Sequence, residues 1–228
     1  MDKYSYLKKY HKDVEIIKDN IEEIPAIPQA WKDILHAPGT EEKISKVLVL
    51  WKRYAFPVLS NTISYLEDHL EDVELIRYRG KYSLLYSIKQ PNGNVAYYEG
   101  GNPKERRLPD EVQKRWNDFP EKIRIFYENL HNGFFFYASS SMGIVAQEDI
   151  LILGEEDWGI LDELQEPLKI SLDHSFGIFS SGMGGYVVVD LSDCNNDKAA
   201  LWFASRQPRY DLNFWDLVDE WMVMGFQC

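Results

Sequence analysis

Glu155, Glu156, Asp157, Asp162 and Glu163 stand around Trp158 in one short stretch, and they are the residues of this sequence best suited to do chemistry by contact. Carboxylates at this density either bind a hard cation or set a negative field that attracts a basic surface. The spacing is not that of an EF-hand, and the expectation is that no metal is held there. Trp158 is either tucked onto the core, where burial contributes most to folding, or offered to a partner as an aromatic anchor. On the second reading Trp158 and the five carboxylates form a partner-binding set.

Other arrangements that could carry catalysis are missing or fail on their flanks. The sequence has no Walker sequence, no HExxH, no GxSxG elbow and no kinase signature. His11, His36, His69, His131 and His174 never pair at the i, i+4 spacing of metal-binding helices, and they are expected mostly at the surface. His131 is placed in a last helical turn, where the dipole favours a cation. Asp173-His174-Ser175 cannot act as a relay among themselves, because neighbours on an extended segment point to opposite faces. The run Ser180-Ser181-Gly182-Met183-Gly184-Gly185 looks like a phosphate loop, but it leads into the strand-like Tyr186-Val187-Val188-Val189 and not into a helix N-terminus. Gly182, Gly184 and Gly185 are therefore expected to build a structural turn. No catalytic residue, cofactor or metal is expected.

Charge narrows the partner class. Residues 1–114 balance at 18 basic and 18 acidic side chains, whereas residues 115–228 hold 7 basic and 19 acidic, so the second half carries the whole net charge of −12. No Lys or Arg occurs in residues 133–168, which include Glu148, Asp149 and Glu166 as well as the set around Trp158. Such a field repels phosphate backbones and suits a cationic protein, so direct nucleic-acid binding is not expected. The plainer alternative is that acidic loops keep the chain soluble. No long apolar run is present, the first residues are too charged for the core of a secretory signal, and Cys194 and Cys228 lack any CxxC companion. The expectation is a cytoplasmic protein without membrane attachment.

The elements that must position these residues divide into two textures. Leu7, Tyr10, Val14, Ile17, Ile21 and Ile24 follow helical spacing and predict a helix to about Glu23; further helices are expected over 29–36, from Thr40 to Tyr54, and beyond Pro57 through Ile63, Leu66 and Leu70. Residues 73–78, 81–88 and 95–98 read as a three-stranded meander with turns at Arg79-Gly80 and 91–94. The charged segment 102–107 is either a boundary or a surface loop. Helices are predicted over 110–116 and 121–131, then strands at 134–137, 150–153, 168–172, 176–179, 186–191 and 201–204, and a closing helix over 213–224. With no helices between most strands, the class is α+β with a largely antiparallel sheet flanked by helices, plus a helical N-terminal extension and the meander.

Over about residues 108–228 the order of pieces resembles the SUKH superfamily, which includes cell-wall assembly regulators and bacterial toxin-immunity proteins. The resemblance is carried by the proline-started helix from Phe119-Pro120-Glu121 to Asn132-Gly133, the acidic middle, and the strand, Gly-rich turn and strand from Phe176 to Leu191. Trp202 and the helix start Asn213-Phe214-Trp215-Asp216-Leu217 complete it. It implies a SUKH-like α+β domain at 108–228, with 1–107 a separate subdomain or part of one fold. It also implies a non-catalytic binding surface: a cytoplasmic immunity protein that neutralises a cognate secreted toxin domain, a basic nuclease-type protein, or alternatively an intracellular scaffold or regulatory adaptor. The family supplies no shared catalytic residues, so the choice of Glu155, Glu156, Asp157, Trp158, Asp162 and Glu163 rests on charge and hydrophobicity alone.

Overall fold

Several strands of this chain are apolar on both sides, and the architecture follows from covering both faces of the sheet they form. The computed structural model describes residues 2–228. Helix α1 (Lys3–Tyr10) leads to strand β1 (Glu15–Ile17), and three helices follow: α2 (Gln29–Leu35), α3 (Thr40–Ala55) and α4 (Ser60–His69). The meander is β2 (Leu70–Tyr78), β3 (Lys81–Lys89) and β4 (Val95–Gly101). Then come α5 (Asp110–Arg115), α6 (Glu121–Ile125), β5 (Phe134–Phe136), β6 (Ser141–Ile144), β7 (Leu151–Ile152), β8 (Ser175–Ser180), β9 (Gly185–Asp190), β10 (Lys198–Phe203), β11 (Arg206–Asn213) and α7 (Phe214–Gln227). All eleven strands join one antiparallel sheet in the order β1-β2-β3-β4-β5-β6-β8-β9-β10-β11, with the short β7 also beside β8. The class is α+β with a large antiparallel sheet, as its residue pattern indicates.

The sheet runs straight through the point where the sequence changes texture. Strand β4 pairs with β5 in the register Tyr98↔Phe136, Glu99↔Phe135 and Gly100↔Phe134. One face carries the main core, where Leu84, Tyr86 and Ile88 of the meander share an apolar cluster with Phe134, Ile144, Phe179, Val187 and Leu201 under α2–α4, α6 and α7. A buried carboxylate reinforces the join: Asp219 of α7 accepts hydrogen bonds from Asn61 N (2.9 Å) and Thr62 N (2.7 Å), capping α4 across the fold. The opposite face has two smaller clusters. Leu7 of α1 packs with Val14, Ile76, Leu85 and Tyr137, and Trp158 packs with Leu153, Ile160, Val188 and Trp202.

Four local expectations are corrected. The first helix stops at Tyr10 and not near Glu23: Glu15–Ile17 instead pairs with Leu75–Arg77 and extends the sheet, so the spacing of Val14, Ile17 and Ile21 serves a strand and a 3-10 turn. Residues 168–172 alternate correctly for a strand, yet Leu168, Ile170 and Leu172 dock on the small cluster around Trp158 and pair with no ladder. Strands β6 and β11 lie where no strand was expected, at Ser141–Ile144 and Arg206–Asn213. The last correction concerns His131, which is fully buried and not at the surface.

His131 N donates to Phe126 O in a π-type final turn, and the ring lies among Trp31, Trp51 and Phe134. Trp51 Nε1 donates to Tyr86 Oη at 3.1 Å, leaving the phenol proton for His131 Nε2 at 2.7 Å. Burial lowers the His131 pKa to about 3. Between about pH 6.5, the ordinary histidine value, and pH 3 the unfolded chain takes up a proton that the native ring refuses, so stability falls as pH falls. His131→Gln, which keeps an acceptor for Tyr86, is expected to remove about one proton from the slope of stability against pH in that window. Urea unfolding followed by tryptophan fluorescence at several pH values checks this; an unchanged slope would assign the acid sensitivity elsewhere.

Candidate interaction site: an acidic flap and a polar cleft

Between β7 and β8 the chain leaves the ladder and lies as a flap on the second face of the sheet. Val188 and Trp202 present apolar surface there, because β9 and β10 alternate with Val187 and Leu201 facing the main core. Trp158 fills this surface: its ring meets Trp202 at 5.2 Å and 72° and Tyr186 at 6.4 Å and 75°, and its Nε1 donates to Leu153 O at 2.8 Å. It is 8% exposed. Of its two sequence readings the structure takes the first, and placing Trp158 among partner-contacting residues is corrected: it anchors the flap and is not displayed on it.

The carboxylates point the other way. Glu155, Glu156, Asp157, Asp162, Glu163 and Glu166 are all exposed, and none joins an ion pair among the described residues. Lys169, the one lysine of the flap, lies over the Tyr210 ring at 5.6 Å. The predicted acidic set, Trp158 apart, is thus a group of solvated, unneutralised carboxylates on a segment clamped by aromatic packing.

Gly182 and Gly184 adopt φ of +73° and +75° in the β8–β9 turn, a region costly for residues with a Cβ. Ser181 closes that turn, its Oγ accepting from Met183 N (3.2 Å) and Gly185 N (3.0 Å). A side chain at Gly185 would collide with the Phe203 ring. The loop leads into β9, with no helix N-terminus behind it.

A second feature was not anticipated by the sequence. Where the end of α1, the β2–β3 turn, the 102–107 segment and the start of the acidic stretch meet, a polar cleft of about 280 Å³ opens. Glu99 of β4 lines it, 4% exposed, accepting hydrogen bonds from Ser83 Oγ (2.6 Å) and Tyr78 Oη (2.8 Å). Burial raises its carboxyl pKa, and the two hydroxyls oppose the shift. Burial, followed by the charge of Glu99, raises the Tyr78 phenol. His11 stacks on Tyr78 at 4.1 Å, and burial and then Arg79 hold its pKa below the usual value.

The opposite wall carries Glu148, paired with Lys81, and Asp149, whose pKa burial and Glu148 both raise. Asn132 fixes this wall: its Nδ2 donates to Glu105 O (2.8 Å) and its Oδ1 accepts from Gln147 N (2.9 Å). Glu105 Oε1 accepts from Tyr82 N and Asn102 Nδ2, both at 3.2 Å. The segment read as a boundary or surface loop is therefore a cleft wall, tied to both sequence halves. The only hint available beforehand was Glu99, a lone charge at the end of the strand-like run 95–98, since its partners lie at distant positions.

No group of three or more His, Cys, Asp or Glu side chains suited to a metal ion occurs among the described residues. Among the described residues no helix is long and apolar enough to cross a membrane. No protein-family model, curated protein or solved structure matches this chain.

If Trp158 clamps the flap, Trp158→Ala should cost about 3–5 kcal/mol, the range for truncating a buried tryptophan. Limited proteolysis should then cut within residues 154–168 before the sheet unfolds. Unchanged protease resistance would show that the flap is held by its leucines alone.

Proposed function

We propose that this chain is a non-catalytic binding protein whose acidic flap engages a basic protein, in the manner implied by its SUKH-like sequence features: an immunity factor that neutralises a cognate toxin domain. One observation carries this reading, the exposed and unpaired carboxylates of a flap held in place by Trp158 and Trp202. Carboxylates already fixed and without internal counter-ions lose little on meeting a cationic surface, and their field speeds encounter. Surface charge mainly accelerates association; affinity comes from desolvated contacts beside it. Met183, 86% exposed at the tip of the β8–β9 turn, is a large apolar side chain already at the surface.

The test is affinity capture from the native cell and its secreted fraction at about 50 and 500 mM salt, where screening differs strongly. The captured protein is then expressed with and without this chain. The expected result is one basic protein, lost or weakened at high salt, whose growth-arresting effect is relieved by co-expression. Replacing Glu155, Glu156 and Asp157 together with Lys should slow its association several-fold, while each exposed change alters stability by less than about 0.5 kcal/mol. Several endogenous partners and no growth protection would favour a scaffold or adaptor. Unaltered association of the triple variant would move the interface off the flap.

A further inference from the structure

Taking a carboxylate out of water is costly unless donors or a counter-charge replace the lost hydration. Glu99 is 4% exposed and belongs to no ion pair among the described residues. The Ser83 and Tyr78 hydroxyls use about half of its acceptor capacity. Glu99 is among the residues that line the cleft. Across the cleft, Glu105, Glu148 and Asp149 outnumber Lys81 and Arg79, and Lys81 is already committed to Glu148. The space stays negative with both cations counted and every carboxyl ionised. One wall is aromatic: the stacked His11–Tyr78 pair, in which His11 Nε2 is shielded from solvent and has no hydrogen-bond partner among the described residues.

We propose that this cleft binds one organic cation, a guanidinium or alkylammonium group, with Glu99 as its buried counter-charge and the His11–Tyr78 pair as its aromatic wall. Each part of the lining suits that chemistry. A carboxylate meets a guanidinium through charge-assisted hydrogen bonds, and an aromatic face adds cation–π attraction. The volume, about 280 Å³, lies just below the range of ordinary ligand pockets, so it holds a head group and not a nucleotide. An anion would face four carboxylates, and the residues are not gathered as metal ligands. The inference stands apart from the flap: either can hold without the other.

The test is calorimetric titration of the full chain at low ionic strength with three probes. Agmatine represents a free small cation, acetyl-Gly-Arg-Gly-amide a side chain displayed on a protein, and the matching citrulline peptide an uncharged isostere. Saturable binding of agmatine, the arginine peptide or both is expected, with affinity about tenfold or more weaker in Glu99→Gln and unchanged in Glu156→Gln on the flap. Binding of agmatine alone would identify a free cation as the ligand, and binding of the peptide alone a protein-borne arginine. Should Glu99→Gln fail to fold, Asp149→Asn on the opposite wall should weaken binding several-fold. The proposal is overturned by no saturable binding of either cation up to about 10 mM, by equal binding of the citrulline peptide, or by undiminished affinity in every cleft variant that folds.

Discussion

The structure depends on a sheet that must be covered on both faces. Strand β3 is buried without interruption from Ser83 to Ile88, and β9 and β10 carry large apolar side chains on each side. A sheet of this kind gains stability only when each face meets another layer. Helices α2–α4, α6 and α7 supply one layer, and α7 is tied to α4 through Asp219. Among the described residues the second face has no long helix, and α1 covers its N-terminal part and the flap its C-terminal part.

Both candidate sites follow from that division. Because Trp158 and the leucines of the flap are used against Val188 and Trp202, the intervening carboxylates have only solvent to face. The cleft opens beside the end of α1, with His11 on one side and Glu148 and Asp149, just before β7 and the flap, on the other. The two sites have opposite electrostatic character. On the flap the charges are hydrated and screened, so their effect is a long-range field. In the cleft Glu99 is held away from water, and its interactions are local and strong.

Much of the fold was legible in local pattern. The turn at Arg79-Gly80 and the closing helix that starts at Asn213 are set by residues within a few positions of one another, and both appear where the sequence places them; the Asn213 side chain caps that helix, accepting from Trp215 N and Asp216 N. The errors share one cause. Val14 and Ile17 satisfy helical spacing, but β2 offers an open edge, and pairing with it wins over a longer helix. Leu168, Ile170 and Leu172 satisfy strand alternation, but they dock on the small cluster around Trp158 and join no ladder. Spacing reports which side chains seek burial, not the surface that will bury them.

By itself the sequence determined the α+β class, the concentration of negative charge after residue 133 and the aromatic set among those charges, because composition and short-range periodicity carry that information. Tertiary structure alone decided that Trp158 faces inward, that His131 is a core residue bonded to Tyr86, and that Glu99 shares a cleft with Glu105, Glu148 and Asp149. Each of these depends on partners brought from far along the chain by the β4–β5 pairing and by the layer covering the second face of the sheet. Burial and charge neutralisation are properties of such neighbourhoods, and a neighbourhood exists only once the chain has folded.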